Sequence, residues 1–134
     1  MNNRQLKFRA WDTLAKQFIY PDRGYQGHYV LTLNGQFQNL QNGSGGDEYV
    51  VQQWTGLKDS KGVDVYEGDI VEFLHRGKTI FSKISYYSNV GMFAVVIEPN
   101  QEIDIETRKC LAEVCFFEVV GNIFENSELL ENKN

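Results

Sequence analysis

Gln52-Gln53-Trp54-Thr55-Gly56-Leu57-Lys58-Asp59-Ser60-Lys61-Gly62-Val63-Asp64-Val65-Tyr66-Glu67-Gly68-Asp69-Ile70-Val71-Glu72-Phe73 is the stretch that decides the fold. Three glycines punctuate it, and the apolar runs between them are too short for helices. Residues 58–62 read as a tight turn with Gly62 in the left-handed conformation, which a residue without Cβ adopts at no steric cost. Tyr66-Glu67-Gly68-Asp69 reads as a second turn, and residues 70–74 as the strand that leaves it. Asp59 and Asp69 are short acids placed to accept hydrogen bonds from turn amides. Gly56, Gly62 and Gly68 are backbone requirements, while Trp54 and Tyr66 are packing anchors.

Downstream, His75-Arg76-Gly77-Lys78 reads as a hairpin tip and residues 79–86 as the returning strand. Ser88-Asn89 turns the chain into residues 92–97, an unbroken apolar run that suggests burial on both faces, ended by Pro99-Asn100. Residues 102–106 alternate as a one-sided strand. Leu111, Val114 and Cys115 share helical spacing, so residues 108–114 suit a short helix or a 3₁₀ turn. Residues 116–124 read as the last strand with Gly121 at a bulge, and Asn126 is placed to cap a short helix over 127–130. Five strands joined by short turns leave exposed edges if laid flat. Closure removes that hazard, so residues 57–134 are predicted to form an SH3-like or otherwise compact small β-barrel.

Upstream, residues 6–11 alternate, with Leu6, Phe8 and Ala10 on one face and Lys7, Arg9 and Trp11 on the other. Residues 17–20 return as a second strand as far as Pro21, giving a hairpin. Residues 21–28 form a loop and 28–33 a strand. Asn34-Gly35 carries the strongest short hairpin signal in the chain, that of a type I′ turn, and residues 36–40 return from it. Residues 42–47 read as a flexible surface loop; their glycines lack the Lys-Ser/Thr pair and the GxGxxG spacing of a phosphate cradle. Residues 48–54 form one more strand. Residues 1–56 are therefore an amino-terminal strand and hairpin subdomain, and the whole is mainly β with short helical turns.

At 134 residues the chain suits one domain or a domain with an appended subdomain. Its size buries about two-thirds of the unfolded surface, enough for a core without disulfides or metal. Two tryptophans, seven tyrosines and nine phenylalanines are spread along it, and such side chains favour pleated, half-buried surfaces. The net charge of −5 is the reverse of what a polyanion-binding domain shows. Two cysteines are too few for a secreted disulfide scaffold. The first residues are not followed by the apolar core of a signal peptide, and no run nears the roughly eighteen apolar residues of a span. A cytoplasmic, reduced protein away from membranes is expected.

Each constellation that carries chemistry has a plainer reading. Cys110, Cys115, His28 and His75 are the soft metal ligands, but a CxxxxC spacing with two distant histidines is a weak zinc signal, and buried small hydrophobes suit the cysteines better. Cys115 with a histidine outlines a thiol nucleophile, yet its apolar, acidic neighbourhood opposes the thiolate. Glu67 and Asp69 outline a carboxylate pair, but turn hydrogen bonding accounts for them. His75, Arg76 and Lys78, with Phe73 and Phe81 nearby, could meet a nucleic-acid backbone, extended by Lys7, Arg9, Lys16 and Arg23; a solvated hairpin tip is the simpler account. Tyr25, Tyr29, Tyr86, Tyr87 and Phe117 offer a partner or self-association surface, tyrosine and phenylalanine being enriched at interfaces, or else half-buried strand positions.

Three blocks together carry a resemblance. They are Lys7-Phe8-Arg9-Ala10-Trp11-Asp12; then Gln53-Trp54-Thr55-Gly56-Leu57-Lys58-Asp59 through Gly62 and Tyr66-Glu67-Gly68-Asp69-Ile70-Val71; and Glu118-Val119-Val120-Gly121-Asn122-Ile123-Phe124-Glu125-Asn126. In these the chain resembles the YopX family of small phage and prophage proteins, with Ser127 standing where the family often has proline. The resemblance implies a mainly β protein with a barrel-like carboxy-terminal domain, carried by phages or prophages and oligomeric, and it brings no catalytic residues and no cofactor. The expectation is a non-enzymatic accessory protein that binds a protein partner or its own copies. A single-stranded nucleic-acid or nucleoprotein binder using the basic hairpin is the alternative, and a metal-dependent or hydrolytic enzyme ranks third.

Overall fold

Strand formation begins at Phe8, two residues into the alternating stretch 6–11. A computed structural model describes residues 5–24, 28–100 and 105–131 and divides the chain into two compact units, Met1–Trp54 and Thr55–Asn134. With 51% of residues in strands the protein is mainly β.

In the first unit β1 (Phe8–Asp12) and β2 (Gln17–Ile19) form an antiparallel hairpin with Trp11 opposite Phe18. Asp12 Oδ1 holds its turn by accepting from the amides of Leu14 and Ala15, both at 3.0 Å. A second hairpin joins β3 (Tyr29–Leu31) to β4 (Phe37–Asn39). β5 (Tyr49–Lys58) enters on the other side of β1, with Phe8 opposite Gln53 and Asp12 opposite Tyr49. Ala10, Ile19, Phe37 and Tyr49 make the core, and Tyr29, Leu31 and Val51 pack on it.

Three expectations change here. Leu6 is 53% exposed, whereas Arg9 and Trp11, on the face opposite Ala10, are buried. Asn34 does not take the positive φ of a type I′ turn; only Gly35 does, at 87°. Thr32 is the reason, because its Oγ1 accepts from the Gln36 amide at 3.0 Å and bonds Asn34 Oδ1, widening the loop. The glycine-rich segment is not a loose linker. Gly45 bridges Gln38, a 3₁₀ turn covers Gly46–Glu48, and a Cβ on Gly45 would stand 2.7 Å from the Phe37 carbonyl oxygen. Tyr25 lies outside the described residues.

In the second unit, residues 55–58 of β5 neighbour β6 (Asp64–Tyr66). β7 (Asp69–His75) is the centre of a three-stranded sheet between β8 (Lys78–Lys83) and β12 (Glu118–Asn122). A second three-stranded sheet orders β11 (Ile105–Cys110), β10 (Met92–Asn100) and β9 (Ser85–Tyr87). β8 approaches β10, where Ser82 Oγ accepts from the Val96 amide at 2.8 Å, and the strands curl as a half-barrel. Val65, Val71, Phe73, Ile84, Val95, Leu111 and Phe117 fill it.

Several boundaries move. The strand expected over 79–86 breaks at buried Ile84, whose amide and carbonyl bond Asp69 and Gly68 at 2.8 Å each. β10 runs through Pro99 to Asn100, because β9 accompanies it only over Met92 to Ala94 and residue 99 faces a single neighbouring strand. Residues 101–104, which include most of the strand expected over 102–106, lie outside the described residues. The helix-or-3₁₀ segment is a 3₁₀ turn over Leu111–Glu113 after β11. The last strand starts at Glu118, and its register shifts between Val119 and Gly121. The terminal helix is one 3₁₀ turn, Ser127–Leu130, with no side-chain cap from Asn126. Asn126 Oδ1 accepts instead from the Asn122 amide at 3.1 Å, packed where Gly121 has no Cβ. Among the described residues no helix is long and apolar enough to cross a membrane.

Candidate functional site

Alternation along β7 sends Val71 and Phe73 into the core and Glu72 and Leu74 to the opposite face. Register then fixes their company. Glu118, Glu72 and Phe81 lie in one cross-strand row over β12, β7 and β8, and Leu74 lies opposite Thr79 in the next row on that face. A cavity of about 530 Å³ opens here. Phe73, Leu74, Val114, Phe116 and Phe117 supply its apolar lining. Glu72, His75, Lys109, Cys115 and Glu118 bring the titratable groups, with Ser60 and Thr79 completing it. Leu74 is 73% exposed and Phe116 80%.

The turn after β5 sets one side of this recess. Ser60 donates its amide and hydroxyl to the Phe117 carbonyl, both at 2.9 Å, and Ser60 Oγ accepts from the Phe117 amide at 3.0 Å. Asp59 Oδ1 accepts from the amides of Lys61 and Val63, and Oδ2 from that of Val119, each at 2.9 Å. Burial raises the Asp59 pKa, but the three amides outweigh it and hold the carboxyl below its usual value. In the first unit, burial raises the Tyr49 phenol, opposed by its hydrogen bond with Ser44.

Of the residues singled out in the sequence, His75 and Cys115 line this cavity, while Arg76 and Lys78 are exposed at the hairpin tip outside its lining. Tyr86 is 49% exposed and sits edge-on to Phe93 at 5.1 Å; Arg108 covers the Tyr87 ring at 4.0 Å. Cys115 is exposed and Cys110 half-buried, so neither is the buried small hydrophobe expected; Cys115 follows the short 3₁₀ turn and stands beside exposed Phe116. His28 belongs to the first unit, 4.4 Å from the Tyr29 ring. No group of three or more metal-ligating side chains occurs among the described residues. Asp69 is buried with Oδ2 on the Tyr66 amide at 2.8 Å, a turn acceptor as its position suggested.

The basic residues proposed to extend the patch engage aromatic rings of the first unit. Lys7 lies over Trp54 at 4.2 Å, Arg9 over Phe18 at 4.1 Å and Arg23 over Tyr20 at 3.8 Å. Arg9 also donates to Gln52 Oε1 at 2.9 Å. Lys16 sits exposed in the β1–β2 turn. Tyr29 stacks on Phe37, and Phe117 is buried. Trp11 is buried edge-on to Phe18 at 4.9 Å, Trp54 is half-buried and Tyr66 buried. Gly56, Gly62 and Gly68 have φ of 88°, 83° and 84°.

Sequence reasoning passed over Glu72, Leu74, Lys109, Phe116 and Glu118. Only the outward positions in Val71-Glu72-Phe73-Leu74 hinted at them, and pairing Glu72 with Glu118 required the strand register.

Two solved structures share this architecture along nearly their whole length. Protein EF1440 from Enterococcus faecalis is 26% identical, with a TM-score of 0.59, covering 96% of this chain and 100% of its own. Protein yopX from Bacillus subtilis is 18% identical, with a TM-score of 0.61, covering 93% and 98%. None of the curated proteins matches the chain. The family model for the YopX protein spans residues 7–131, taking in all three sequence blocks, both units and the β7 recess, and the chain belongs to the YopX family.

Proposed function

We propose that this is a non-enzymatic accessory protein of phage or prophage origin, working in the bacterial cytoplasm as a binding or self-assembling module. The observation that carries this reading is the recess beside β7. Its lining includes two large apolar side chains, Leu74 and Phe116, that are more than 70% exposed. Contiguous exposed apolar surface of this kind is characteristic of interaction sites. The phage assignment rests on the resemblance of the three sequence blocks to a family of small phage and prophage proteins. In the same reading residues 57–134 are an SH3-like barrel and 1–56 an amino-terminal hairpin subdomain.

A photocrosslinking residue at position 116, in cells carrying the protein, tests the proposal. One discrete product, with a second copy or a single other protein, that disappears with Leu74→Ser supports it. Absence of a discrete product overturns it.

Exposed Arg76 and Lys78 favour a second reading, single-stranded nucleic-acid binding at the β7–β8 tip. Phosphate contacts release counterions, so binding to a labelled oligonucleotide must weaken steeply with salt. No binding at low salt removes this reading.

A further inference from the structure

The β7 recess has an electrostatic property that its apolar lining does not explain. Glu72 and Glu118 are direct cross-strand partners. Like charges so placed destabilise a sheet. Among the described residues Glu118 pairs with Lys61 at 3.5 Å, the lysine side chain 70% and the glutamate 46% exposed, so water screens the pair. Glu72 is half-buried beside Leu74 and Phe81, and among the described residues its side chain makes no hydrogen bond or ion pair. The remaining titratable groups of the lining are His75, Cys115 and a single lysine, Lys109.

Resting on the reading above, we propose that the recess docks a partner-protein segment in which a lysine or arginine sits between apolar side chains. The cation lies between the Glu72 and Glu118 carboxylates, and the apolar neighbours cover Leu74 and Phe116. Charge complementarity selects this occupant. A cation relieves the repulsion within the pair, whereas an acidic segment adds to it.

The test uses the full chain and a fluorescein-labelled pentapeptide alternating leucine and lysine, followed by anisotropy. Binding is expected, and Glu72→Gln with Glu118→Gln should weaken it about tenfold. The same double variant should keep its thermal midpoint or gain about 1–3 °C, because the repulsion is gone; a purely structural role would lower it. A peptide with glutamate for lysine should not bind, and one with serine for leucine should bind much more weakly. No binding of the leucine–lysine peptide, equal binding of either control, or indifference to the double variant overturns the proposal. So does self-association that the double variant abolishes, which would make a second copy the occupant. A discrete crosslink from position 116 alongside any of these results leaves the binding-module reading standing and removes only the basic–apolar chemistry.

Discussion

Asp59 shows how much one side chain fixes. Its two oxygens hold three amides, and Asn in its place could still accept from Lys61 and Val63 through Oδ1 while turning an N–H toward the Val119 N–H. Asp59→Asn should therefore cost about 2–3 kcal/mol in urea denaturation. The folded carboxyl titrates below the ordinary 3.8, so its contribution is complete above that value and is lost as pH falls through the lower folded value. The wild type should lose urea resistance as pH falls below 3.8, and Asp59→Asn should lose less over the same interval. The turn role of Asp59 was readable from its place before Lys61 and Gly62. Its bond to Val119 spans 60 residues and needs the fold. Gly121 makes a similar point. A Cβ there would meet Asn126 Oδ1 at 2.5 Å, so Gly121→Ala should destabilise by about 1–3 kcal/mol. Combining it with Asn126→Gly should cost less than the two changes summed.

Two hairpins show why turn chemistry was only half legible. Asn34-Gly35 has the preferred type I′ residues, yet the Thr32 side chain widens that loop and leaves Asn34 at negative φ. The β7–β8 hairpin pairs His75 with Lys78, so only two residues remain to reverse the chain. Both are left-handed, Arg76 at 53° and Gly77 at 77°. Register, rather than residue preference, imposes the turn. Asparagine tolerates that conformation better than arginine, so Arg76→Asn should raise stability by about 0.5–1 kcal/mol, read as a higher urea midpoint. Strand existence in β7, β8 and β12 followed from apolar pattern. Their pairing did not, and without it Glu72 and Glu118 are unrelated acids in different segments.

Across the whole molecule, the two units differ in how much core they own. Among the described residues, seven buried ones cluster in the second and four in the first. Residues 55–134 produced alone should give a cooperative thermal transition by circular dichroism, and residues 1–54 alone should not. The mainly β character was legible because apolar runs stay short throughout; the recess was not, since residues far apart in sequence line it. The order of the sheet β12-β7-β8 has a consequence for synthesis. Translation delivers β7 and β8 first, but β12, the strand that completes the other side of β7, does not begin until Glu118. Until β12 has emerged from the ribosome, the nascent chain presents an open strand edge to its neighbours on the polysome. A premature stop near codon 115 should yield insoluble product and leave little shortened soluble protein.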